Sequence, residues 1–330
     1  SGITLTVNNP PTSGGYTSNN NAVEVIVSQP QSKMFSSVLM SQTPIVTVRS
    51  VALRNTAGTA CVLALNSLSA NTVLESGTAV LNMPSCMVAA NSSNNGAISV
   101  GGHSTMNVQG LYTPGGYSVS GSAIFTSATT PVTDGNTLVD PYASLPIPSF
   151  SGCNYTNYSS NASVTLNPGT YCSGFSLNAG ANVTLNPGVY IMDRGTFSIN
   201  GLATLTGTGV TIILTSSTGS DYAEASVNGG AIVNISAPTS GTYSGVAFYQ
   251  NRNASVNNDN SFNGGSTMNI NGAMYFPKGH LVFNGGNAIT SPCTQIIAYT
   301  VTFNGNSNIS DSCPSSNVTP ITIPGSVTLE

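Results

Sequence analysis

The 330 residues hold six Lys+Arg and ten Asp+Glu, a net charge of −4, so only 5% of the chain is charged, against roughly a quarter in an average soluble protein. Cations this sparse exclude nucleic acid as a partner, since no basic stripe exists to displace counterions. No run of about 18 apolar residues appears, which excludes a helical membrane span.

Hydrophobic residues make up 39% of the chain, enough for a real core. Six cysteines, an even number, suit an oxidising compartment. The start "SGITLTV" does not read as a signal peptide and is expected to be that of a mature or trimmed product.

Residues 1–57 come first. "AVEVIVSQ" (22–29) alternates as a strand, "SKMFSSVLM" (32–40) reads as a short amphipathic helix and "PIVTVRSVAL" (44–53) as a second strand. This strand–helix–strand segment is expected to be a small α+β cap over the open end of the first rung. Residues 58–150 contain "CVLALNS" (61–67), repeated as "CMVAANS" (86–92), 25 residues later. They are expected to form the first β-rungs, with the Gly-, Ser-, Thr- and Pro-rich stretch 114–150 as an irregular crossover.

Residues 151–330 repeat one phrase: "FSLNAG", "FSINGL", "ASVNGG", "NSFNGG", "LVFNGG" and "VTFNGN". Its asparagines are Asn178, Asn200, Asn228, Asn263, Asn284 and Asn304, spaced by 22, 28, 35, 21 and 20 residues. "VTLNPGTY" (164–171) likewise returns as "VTLNPGVY" (183–190). A period near 20 residues, in short alternating segments that end in Gly, Pro or Asn, means stacked strands rather than helices. The leucine-rich skeleton is missing. The predicted fold is therefore all-β: a right-handed parallel β-helix with about 20 residues per rung.

Alternation assigns the faces. Leu177, Ile199, Val227, Phe262, Phe283 and Phe303 should stack in one interior column. The asparagine after each should sit at a corner, bonded to its equivalents above and below, and take the left-handed conformation that a corner needs. Rungs about 4.8 Å apart bring cysteines one rung apart within disulfide reach. Of 15 possible connectivities, the chosen one is Cys61–Cys86, Cys153–Cys172 and Cys293–Cys313.

The run "NAVEVIVSQPQSKMFSSVL", "ACVLALNS", "VAANSS", "VDPYASLPIP", "LNPGVYIMD", "TGTGVTIILTS" and "APTSGTYSGVAFYQNRNA" resembles the TadG-like proteins of bacterial Tad (Flp) pilus assembly, over nearly the whole chain. The resemblance implies an exported protein of the cell surface, periplasm or extracellular space, linked to pili or surface attachment. Its partners would be other pilus or envelope proteins. Such proteins carry an N-terminal anchor helix that this chain lacks. The resemblance supplies no catalytic residues.

Chemistry is sparse. His103 and His280 have no second ligand at metal spacing, and "NNDN" (257–260) lacks the glutamate of a calcium loop. No metal or cofactor is expected. The two longest rungs carry extra length in "SSTGSDYAE" (216–224) and "NRNASVNND" (251–259), which should project from one edge. They hold Asp221, Glu224, Arg252 and Asp259, with Tyr222 and Tyr249 nearby. These six are the candidate ligand contacts, for a polysaccharide above all. Were the protein an enzyme, the two-carboxylate chemistry of glycoside cleavage would fall to Asp221, Glu224, Arg252 and Asp259. An outward column of Thr165, Thr184, Thr204, Asn234 and Asn269 is a second candidate surface.

These features favour a non-enzymatic structural protein of the envelope, serving pilus assembly or adhesion. A carbohydrate-active lyase or hydrolase is the rival reading, and an ice- or surface-binding module a further one.

Overall fold

The computed structural model describes the chain except residues 1, 21, 33–41, 257, 264, 287, 290–292, 306–307, 311–316 and 330. Among the described residues there are strands and turns but no helix. The expected helix at 32–40 falls, from residue 33 on, outside them, so no helical cap is seen. The chain divides into two units, residues 1–58 with 322–330, and residues 59–321.

The first unit contains β1 (Thr4–Asn8), β2 (Ala22–Pro30) and the start of β3 (Ile45–Ala64), paired antiparallel in that order. Residues directly opposite share a face, and here the amphipathy is inverted. On one face the Glu24 carboxylate has no exposed surface. It accepts from the Thr12 hydroxyl at 2.7 Å, the Thr12 amide at 3.1 Å, Asn8 Nδ2 at 2.8 Å and Arg49 Nε at 2.6 Å. On the other face Leu5, Val27 and Val48 stand in one row and are 64%, 37% and 63% exposed. Ile3, Val7, Val23 and Val46, exposed as well, surround them.

The second unit is a stack of parallel rungs with three strands each: a first face with Val210–Thr215 and Val246–Gln250, a second with Thr196–Ile199 and Glu224–Val227, and a third with Asn182–Leu185 and Thr204–Thr208. On its second face every strand meets its equivalent about one period on. Leu177 pairs with Ile199, then Val227, Phe262, Phe283 and Phe303 follow in unbroken register. All six are buried. Phe262, Phe283 and Phe303 stack with ring centroids 5.4 and 5.3 Å apart. Facing outward beside them is a serine column, Ser159, Ser176, Ser198, Ser226 and Ser261.

The asparagines lie at the next corner. Each Nδ2 donates to the Oδ1 of the rung before: Asn200 to Asn178 at 3.2 Å, Asn228 to Asn200 at 3.0 Å, Asn263 to Asn228 at 3.2 Å and Asn284 to Asn263 at 3.2 Å. The left-handed residue of each corner is not the asparagine. It is the residue one or two places later: Gly180, Leu202, Gly230, Gly265, Gly285 and Gly305. The asparagine Oδ1 thereby stays free to accept within the ladder.

On the third face the register corrects the outward column. Thr165, Thr184, Thr206, Asn234 and Asn269 align, while Thr204 belongs one column over, between Asn182 and Ile232. One column is Thr-x-Thr in phase with itself, so a sequence reading slips between its two threonines easily.

The order of the rungs in space is not their order in sequence. Strands from 155 to 310 climb in sequence, and the rung at 294–310 then receives residues 62–83. Ile296 pairs with Val62, Phe303 with Glu75 and Asn308 with Val80. Residues 88–108 and 110–127 continue the stack beyond. Residues 58–127 therefore lie after the 294–310 rung rather than before the 155 rung. At this seam Ser76 Oγ donates to Asn304 Oδ1 at 3.0 Å, ending the asparagine ladder on a serine. A side chain at Gly77 would strike the Gly305 backbone at 2.8 Å, and one at Gly102 would strike Gly77 at 2.8 Å, so the seam corner closes only with glycine.

The chain returns from 127 to 155 along the outer side of the first face, where Tyr249 contacts it, and Val246–Gln250 is buried on both sides. Asn91 holds the Leu138 backbone through both its amide atoms, at 2.9 and 2.7 Å. Tyr275 Oη donates to Asp140 at 2.7 Å, and Tyr243 Oη to the Pro146 carbonyl at 3.0 Å. Cys61–Cys86 joins neighbouring rungs with Cα atoms 5.6 Å apart, and Cys153–Cys172 fixes the returning chain at 5.8 Å. The third expected pair includes Cys313, outside the described residues.

Candidate functional site

The long insertions meet beside the second face. Counting four residues back from each ladder asparagine after Asn178 gives Thr196, Glu224, Asp259, His280 and Thr300. Thr196 pairs with Glu224, and Asp259 with His280, which pairs with Thr300. The pairing of Ser226 with Ser261 sets Asp259 beside Glu224. Two acids and a histidine thus occupy consecutive rungs of one outward column. His280 Nδ1 lies 2.5 Å from Thr300 Oγ1, and its ring meets the edge of Tyr299.

Next to Glu224 opens a cleft of about 450 Å³, lined by Gly219, Ser220, Asp221, Tyr222, Glu224, Asn253, Ser255 and Asn258. Glu224 is half-buried and accepts from Asn258 Nδ2 at 2.9 Å. Burial first, and then the charge of Asp259, push its carboxyl above the ordinary range. Beneath it lies a buried amide network. Asn258 Oδ1 accepts from Gln250 Nε2 and from Asn260 Nδ2, Asn260 Oδ1 accepts from the Ala225 amide at 2.8 Å, and Gln250 Oε1 accepts from the Lys278 amide at 3.3 Å. Buried amides must be satisfied or they destabilise the fold, and satisfying these three fixes the position of Asn258 and so of Glu224.

Of the six candidate contacts, Asp221, Tyr222 and Glu224 line the cleft, and Asp259 is exposed beside Glu224. Arg252 and Tyr249 are directed elsewhere. Arg252 donates to the Tyr142 carbonyl at 3.1 Å, the Leu145 carbonyl at 2.6 Å and Tyr249 Oη at 3.1 Å. Tyr249 is buried, and its hydroxyl reaches the Leu145 carbonyl at 3.3 Å. Both hold the returning chain against the first face.

The cleft lining therefore contains carboxylates, a phenol, amides and hydroxyls, and no cation. By charge complementarity it suits a hydroxyl-rich neutral or cationic ligand better than an acidic one. Among the described residues, no three His, Cys, Asp or Glu are grouped as a metal ion requires. Asn258, Asn260 and His280 escaped the reading of the sequence as site residues. The signal for His280 was present in its fixed offset from Asn284, whereas the amide network has no sequence signature.

Among the described residues no helix is long and apolar enough to cross a membrane. No protein-family model, curated protein or solved structure matches the chain.

Proposed function

We propose that this chain is a non-enzymatic structural protein of the bacterial envelope, exported and of the TadG-like kind, whose rungs wind as a right-handed β-helix. One unit docks on other pilus or envelope subunits, and the other displays a polar lattice outward. The observation that carries this reading is the uncovered apolar face of the first unit, with Leu5, Val27 and Val48 in one row. Apolar sheet faces left open on a protein this poor in charge mark contact surfaces. Disulfides that tie neighbouring rungs support an oxidising location, and the cleft at Glu224 supports contact with polysaccharide.

The test is made in the producing bacterium. Val27→Glu and Val48→Lys, which lie on the surface, should leave the melting temperature unchanged and abolish assembly and surface attachment. Glu224→Gln should leave assembly intact and weaken binding to neutral or amino-sugar glycans. Normal assembly and attachment in the Val27→Glu, Val48→Lys double variant would sink the proposal.

The carbohydrate-active reading retains one supporting observation, the adjacency of Glu224 and Asp259. A carboxyl held above the ordinary range by burial, with a second carboxylate beside it, supplies the two groups that glycoside cleavage uses. Turnover of a neutral polysaccharide by wild type, lost in Glu224→Gln and Asp259→Asn, would replace the structural reading with this one.

A further inference from the structure

Glu75 stands in the interior column of the second face, paired with Phe303 on one side and Val100 on the other. It has no exposed surface, and neither carboxyl oxygen has a hydrogen-bond partner. The column is otherwise apolar from Leu177 through Phe303 and again at Val100 and Val119. Phe303 and Val100 flank Glu75 in the column, and the influences on its carboxyl are burial and the Leu81 backbone amide, with no charged group among them. A carboxylate here would be an unpaired buried charge, whereas a protonated carboxyl is only a mildly polar filler.

The location gives this its meaning. Glu75 lies on the seam, where the rung at 294–310 meets residues 62–83. Here the two arrays meet through parallel pairing and side-chain contacts such as Ser76 to Asn304, spanning 228 residues of sequence, while the returning chain is bonded to both, at Asn91 and at Tyr275. Elsewhere in the stack each rung runs directly into the next along the chain. A charge that appears in this interior layer therefore acts where rungs far apart in sequence meet and can part locally without breaking the chain.

We infer that the seam is a proton-controlled joint, closed while Glu75 is protonated and opened when Glu75 ionises. Burial pushes the carboxyl up to about 8, the Leu81 amide pulling weakly the other way. Because the folded value lies above the ordinary one of 4.5, the contribution of Glu75 to closure is complete below about 4.5. It is lost as pH rises through about 8. An opened joint exposes the parallel edges of both arrays, each able to pair with another strand.

The experiment is amide exchange on the full chain with disulfides intact, across this pH range and corrected for the intrinsic exchange rate. Wild type should lose protection at 62–64, 73–75 and 296–303, by about ten-fold for each pH unit between about 4.5 and about 8, and level off above that. Protection at 196–199 and 246–250 should not change. Glu75→Gln, which cannot ionise, should hold the seam's protection constant. Should Glu75→Gln fail to fold, Glu75→Val, which copies the residue above it, takes its place. A wild-type seam whose protection is flat with pH, or a variant that opens as wild type does, would overturn the joint.

Discussion

Arg252→Ala should loosen the returning chain without touching the cleft. The guanidinium makes three hydrogen bonds, to the Tyr142 and Leu145 carbonyls and to Tyr249 Oη, and its carbon lies 6.0 Å from the Tyr249 ring centroid. Hydrogen bonds to a charged group contribute about 1.5–3 kcal/mol each when one partner is removed. Arg252 is half-exposed, so water replaces much of what is lost, and the discounted total is roughly 2–3 kcal/mol. Arg252→Lys should recover less than half of this, since a single ammonium cannot span two carbonyls as the planar fork does. Urea unfolding gives the stability. Limited proteolysis should show faster cleavage between 138 and 150, and glycan binding at the cleft should persist. Unchanged unfolding together with lost binding would refute the reasoning and place Arg252 against the ligand.

Phe283→Ala removes a ring stacked between Phe262 and Phe303 and should cost about 3–5 kcal/mol in the same unfolding experiment. Leu202, exposed and left-handed at φ 63°, should become about 1 kcal/mol more stable as glycine. Gly230→Leu at the matching corner should lose at least as much, because only ordinary contacts surround that site and strain alone decides. Glu24 is held near 2 by the Thr12 hydroxyl first and Arg49 next. Its contribution to the first unit is therefore complete above the ordinary value of 4.5 and lost as pH falls toward 2. Amide exchange in β2 should show this acid loss in wild type and not in Glu24→Gln.

The interior column could be read from the sequence because its period is marked twice, by the asparagine and by the apolar residue before it. Each insertion in a loop leaves that local phrase intact, so Phe262 remains in line with Val227 despite 35 residues between them. What alternation cannot reveal is which rung lies on which. Residues 62–83 repeat the rung pattern equally well whether they begin the stack or continue it, and only the pairing of Phe303 with Glu75 decides. Arg252 and Tyr249 were misplaced in space for a related reason. Their loop was visible, but the chain packed against it, Tyr142 to Pro146, is more than a hundred residues away. Glu75 was not singled out, because a lone glutamate in "TVLESG" looks like any strand end on a solvated face.

The displaced order of the rungs also dictates when the protein can finish folding. The edge formed by residues 62–64, 73–75 and 80–82 is synthesised early, yet its partner strand is completed only at residue 310. Through all of that synthesis the edge is unpaired, and closing so long a loop carries an entropy cost before any contact repays it. The seam should accordingly form last. Until it does, the nascent chain presents a bare parallel edge on which another copy's strand could pair.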